Sequence, residues 1–139
     1  MIGLDLAQAA VEAAMEQARI LGRPMSIVVV DASGRIVTCV RMDGSSWLMM
    51  EIATGKARTA AGFGSDLASI AERLHSNAFW ETVGSVLAGT FVASPGGGRV
   101  FMADRLLGAI GVSGGTGEED EACAEAAVRR VAEMLRKPA

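Results

Sequence analysis

The sequence predicts an α/β domain of the α+β kind: a mainly antiparallel central sheet with helices packed on it. Three observations carry this. Apolar residues recur at helical spacing near both ends of the chain. The run "IVVV" is uninterrupted, as in a strand buried on both faces. Apolar segments pair across short turns, which favours antiparallel neighbours. A length of 139 residues suits one domain spanning 1–139, and a hydrophobic fraction of 50% supplies a core without disulfides.

Taken in order, residues 4–21 read as a helix, with Ala7, Ala10, Val11, Ala14, Ala18 and Leu21 on one stripe; Gly22 and Pro24 stop it. "MSIVVVDASGRIVTCVRMD" reads as a hairpin of strands Ser26–Val30 and Ile36–Arg41 around the turn from Asp31 to Gly34. Residues 46–62 read as a helix. "SDLASIAERLHSNAFWETVGSVL" reads as two short helices, with Ser65 and Asp66 as caps and "HSN" as the joint. "GTFVAS" and "RVFMAD" read as strands around "PGGG", and "LLGAIGVSG" as another. Residues 117–136 form the last helix. The expected order is α-β-β-α-α-β-β-β-α, with five strands in the sheet.

The formal net charge is −3, without basic blocks or basic–aromatic interleaving, which argues against nucleic acid as a partner. The first 22 residues carry Asp5, Glu12 and Glu16 and lack a basic start and a long apolar run, unlike an export signal. No stretch reaches the roughly 18 apolar residues of a membrane span. Cys39 and Cys123 lie far apart, so two free thiols and a cytoplasmic location are expected.

"GAIGVSGGTGEEDEACAEAA" carries most of the readable chemistry. Thr116 and Glu119 have capping-box spacing, and acids in a first helical turn complement the helix dipole. The same acids argue against a phosphate at this glycine turn. Asp120 instead shares the apolar stripe with Cys123, Ala124, Ala127 and Val131. Lys56 shows the same oddity with opposite sign, falling with Ile52, Thr59 and Phe63 on one helical face. It must snorkel, pair with Asp120, Asp31 or Asp43, or line a cavity. A desolvated lysine paired with a carboxylate is also a candidate acid/base couple. Arg41 and Asp43 end the second strand as surface charges or pocket residues, and "PGGG" reads as a simple turn or, through its bared backbone N–H groups, as a carboxylate site. His75, the only histidine, sits near a helix end. One histidine does not build a zinc site, so no metal is expected, but one suffices as a haem axial ligand. Neither a nucleotide-binding glycine motif nor a serine partnered with a histidine is present.

The chain resembles the GlcG/HbpS-like family, the haem-degrading-domain family that includes the PduO C-terminal domain. "PMSIVVVDASGRIVTCVRMDG", "IATGKARTAAGF", "NAFW", "PGG" and "LLGAIGVSGGTGEEDEACAEAA" carry the resemblance over almost the whole length. It implies a profilin- or PAS-like sandwich and homo-oligomers, often tetramers to octamers. Some members bind haem or are tied to its breakdown; others are encoded among genes of glycolate, diol or aromatic-acid catabolism. The matching positions include Asp31, Arg41, Met42, Asp43, Lys56, Thr59, Pro95, Gly96, Gly97, Gly111, Ser113, Gly114 and Asp120, which become pocket candidates.

Three readings follow. The first is a catabolic accessory protein whose Lys56, Arg41 and "PGG" amides hold a small carboxylate, with Asp43, Thr59 and Ser113 lining the site. The second is an enzyme on a small organic acid with Lys56 and Asp120 as acid and base. The third is a haem-binding protein with His75 as ligand.

Overall fold

The computed structural model describes residues 1–64, 66–74 and 78–137. The elements are α1 (Leu4–Leu21), β1 (Ser26–Asp31), β2 (Ile36–Arg41), α2 (Trp47–Gly62), α3 (Leu67–Arg73), α4 (Ala78–Val86), β3 (Gly97–Met102), β4 (Arg105–Ser113) and α5 (Gly117–Arg136). The strands form one antiparallel sheet in the order β2-β1-β4-β3. The central position of β1 explains its unbroken apolar run, because Ile27 to Val30 are all buried.

Successive residues point to opposite faces of a strand, so the sheet separates two cores. Ile27 and Val29 of β1, with Ile110 and Val112 of β4, meet the alanine stripe of α1 and Cys123, Ala124, Ala127 and Val131 of α5. Val28, Val30 and Ala109 meet Ala53, Ala57 and Ala60 of α2 and Leu67 and Ile70 of α3. The result is the sandwich that the resemblance implied.

One expectation is corrected: the sheet has four strands, not five. The three helices between β2 and β3 are the one read over 46–62 and the two short ones after it, although the expected order counts only two. The lost strand is "GTFVAS". Its apolar residues pack on helices instead of a neighbouring strand: Phe91 lies 5.6 Å from the Phe63 ring, and Val92 fills the gap above Gly55. The backbone there is satisfied by a side chain, since Val92 N–H donates to Thr59 Oγ1 at 3.0 Å. An apolar run alone does not distinguish a sheet partner from a segment lying on a helix.

Of the caps expected for α3, Asp66 occupies the N-cap position, but its carboxylate accepts from Arg99 at 3.2 Å rather than capping. Ser65 lies outside the described residues. No described helix is long and apolar enough to cross a membrane.

Candidate functional site: a sealed lysine–aspartate pair and the clefts around it

Gly111 governs how α2 meets the sheet. A Cβ there would collide with the Ala53 carbonyl oxygen and stand 2.6 Å from Ala57 N, so the helix backbone lies directly on β4. That contact places Lys56, one turn along the face of Ala53 and Ala60, beside the start of β3 and the end of β4. Lys56 Nζ donates to Val112 O at 2.9 Å and to Asp120 Oδ2 at 2.9 Å. Asp120 is aimed there by the start of α5, where the Thr116–Glu119 capping box forms in full. Its other oxygen accepts from Gly115 N–H at 2.8 Å. Lys56 is 2% exposed and Asp120 4%. The pair therefore links the α2 layer to the α5 layer.

The lid is Gly96. It has φ +116, and a Cβ would lie 2.9 Å from Lys56 Nζ and 2.6 Å from Val112 O, so only glycine closes the site this tightly. Gly96 O accepts from Val112 N–H at 2.7 Å, and Gly96 N–H donates to Glu121 Oε2 at 2.7 Å. The Gly96 amide is thus occupied by a carboxylate of the chain itself, leaving it no N–H for an incoming ligand. For Lys56 and Asp120 to act as acid and base on a bound molecule, the Gly96 segment has to lift.

The other predicted site residues do not converge on this pair. Thr59 is buried, bridging Thr90 O and Val92 N. Ser113 is buried and directs its hydroxyl at Met49 Sδ, 3.4 Å away. Arg41 and Asp43 are exposed where β2 ends, while Lys56 and Asp120 bond to each other, to Val112 O and to Gly115 N–H. Asp31 folds back on its own turn, accepting from Ser33 N and Arg35 N. Pro95 lines a surface cleft, and Gly97 is buried against Leu67. His75 lies outside the described residues. Among the described residues no cluster of three metal-ligating acid, cysteine or histidine side chains occurs.

The Pro95 cleft, about 740 Å³, is walled by Glu118, Glu121 and Glu125. These acids make it unsuited to the carboxylate expected beside "PGG". Burial raises the Glu121 pKa above its ordinary value, reinforced by Glu125 and Asp66; the Gly96 N–H and Lys56 act in the opposite sense. The folded chain therefore holds the Glu121 proton more strongly than the unfolded chain does. Its ionisation costs stability as pH rises from the unfolded value through the raised folded one. Glu121→Gln keeps an acceptor for Gly96 and removes the charge. Its melting temperature should match the parent at about pH 4 and exceed it at pH 7, in thermal melts across that range. An equal difference at both pH values would show that the charge is not responsible.

Nearby, burial pushes the Cys123 thiol up to about 11, with Asp120 and Glu119 adding to it, so this cysteine is inert at neutral pH. Glu119 moves the other way, held down by the Thr116 N–H and by Arg23.

Sequence reasoning missed an aromatic cluster. Phe63 lies 5.5 Å from Trp80 and 5.6 Å from Phe91, and Phe79 lies 5.0 Å from Trp80. Four of the chain's six aromatic residues (4 Phe plus 2 Trp) are gathered there from the residue after α2, from α4 and from the segment before β3. Their scarcity elsewhere was the available signal; their convergence is a tertiary fact. Arg73 lies over the Trp80 ring, 5.5 Å from its centroid. Beside Phe63, a second cleft of about 300 Å³ opens between Arg58, Leu87, Thr90 and the β1–β2 turn.

Two helical layers around a four-stranded antiparallel sheet, closed inside and cleft outside, define a sandwich domain with surface-borne rather than enclosed sites. The chain belongs to the haem-degrading protein HbpS-like family, whose model it matches over residues 2–129. It is 29% identical over 119 residues to the corrinoid adenosyltransferase PduO of Salmonella typhimurium, covering 86% of this chain and 35% of that protein. The chain thus spans about a third of the length of that curated relative. Among solved structures, Klebsiella pneumoniae protein ORFY superposes with a TM-score of 0.89 at 25% identity, covering 94% of this chain and 90% of ORFY. A PduOC:haem complex superposes with a TM-score of 0.87 at 27% identity, covering 93% and 94%.

Proposed function

We propose that this chain binds haem against the open apolar face of α4. The observation that carries the reading is that face itself: Phe79 is 58% exposed and Val86 79%. They stand seven residues apart on one helical stripe, with Leu87 also exposed just beyond. An apolar face beside an aromatic cluster suits a flat tetrapyrrole, and Arg73 supplies a cation near it for a propionate. The family match and the likeness to a PduOC:haem complex support the same ligand. His75 stands in sequence between α3 and α4 and is the proposed axial ligand. Haem bound there supplies an iron centre whose reactivity follows its axial ligand and the polarity around it. The chain's own contribution is the apolar cover of Phe79 and Val86. Neither cleft described above suits the whole group: one is walled by glutamates and the other is too small to enclose a tetrapyrrole.

Titrating the full chain with haemin should produce a saturable Soret band shifted from that of free haemin. The band should weaken in Phe79→Glu and lose its ligand-field signature in His75→Ala. No shift with the folded parent chain would overturn haem binding, and an unchanged spectrum in His75→Ala would overturn the axial assignment. Self-association into the homo-oligomer implied by the resemblance would cover Trp47 and Leu48, exposed at the start of α2.

A further inference from the structure

We infer that the cleft between Arg58, Phe63, Leu87 and the Ser33–Gly34 turn binds a small monocarboxylate with an apolar body. Arg58 lies on the turn, its Nε 3.7 Å from where a Gly34 Cβ would stand. The four ion pairs among the described residues join Arg23 to Glu119, Lys56 to Asp120, Arg99 to Asp66 and Arg130 to Glu16; none uses Arg58. The nearest acid in the chain of the turn, Asp31, spends Oδ1 on the Ser33 and Arg35 N–H groups. Arg58 therefore lines a cavity without an ion-pair partner among the described residues, and its planar fork matches a carboxylate.

The rest of the lining sets the ligand's size and charge. Phe63 is held by Trp80 and Phe91, so it presents a fixed apolar wall, with Leu87 also lining the cleft. A volume of about 300 Å³ is at the small end of small-molecule sites. Gly62, the last residue of α2, also lines the cleft and brings the negative end of the helix dipole to it. One cation set against that field favours a single negative charge and disfavours a phosphate. The carboxylate expected from the sequence at Lys56 and "PGG" thus has its cation one helical face away. This inference rests on the cleft and not on haem binding; the two are read by different signals.

Benzoate serves as the probe, followed by amide chemical shifts in the full-length chain, with benzyl alcohol as the uncharged control. Benzoate should shift the Gly34 and Gly62 amides saturably. Arg58→Gln should weaken that binding by at least about tenfold, the loss expected from a charge-assisted hydrogen-bonded pair, with the melting temperature unchanged because Arg58 is exposed. Arg58→Lys, which keeps the charge, should lose less. The inference fails if benzyl alcohol shifts the same amides as strongly, if Arg58→Gln leaves benzoate affinity intact, or if neither probe binds.

Discussion

Asp120→Ala is expected to destabilise the fold by about 3–5 kcal/mol, the usual cost of removing one partner from a buried ion pair. The carboxylate accepts from both Lys56 and Gly115, so its loss leaves a buried ammonium held only by Val112 O and an amide without its acceptor. Lys56 is 2% exposed beneath Gly96, so solvent gives the stranded ammonium little compensation. For a domain of this size that loss lowers the melting temperature by roughly 10–20 °C. Lys56→Met combined with Asp120→Ala should be markedly more stable than Asp120→Ala alone, since no charge is then stranded. Urea melts of the parent, both single variants and the double variant give the coupling directly. A double variant no more stable than Asp120→Ala would mean that the stranded charge is not the cause.

Gly111→Val should cost about 3 kcal/mol, at the upper end for overpacking. The atoms a side chain would meet at Gly111 are the Ala53 carbonyl oxygen and Ala57 N, both backbone. A flexible side chain can swing aside, but here the whole of α2 must lift from β4. Lifting α2 also withdraws Lys56 from Val112 and Asp120, so the two costs are coupled. Gly84→Ala is the control: nothing lies within 4 Å of where its Cβ would stand, and that variant should melt at the parent temperature or slightly above. Denaturant midpoints of the two variants check the contrast, and similar midpoints would place the tolerance of α2 packing higher than this geometry implies.

Local patterns revealed several parts of the site. The Thr116–Glu119 capping box was legible because both partners lie within one helical turn. The inward turn of Asp120 and Lys56 was legible because each broke the apolar stripe of its own helix. That Asp120, rather than Asp31 or Asp43, partners Lys56 was open until the fold set the start of α5 beside the start of β3. The partner of the Gly96 amide was hidden for the same reason, because Glu121, which accepts from it, is 25 residues away in sequence.

The sequence by itself determined the bounds of α1, β2 and α5, the burial of β1 on both faces, the capping of α5 and the family. These follow from periodicity and short-range hydrogen bonding, which act within a few residues. Only the tertiary structure decided that "GTFVAS" lies on α2 instead of joining the sheet, that the lysine–aspartate pair is sealed under Gly96, and that Arg58 and the aromatic residues frame a cleft. Those outcomes depend on how closely two backbones approach and which distant donor reaches an acceptor first. Such distances exist only once the helices and sheet have packed.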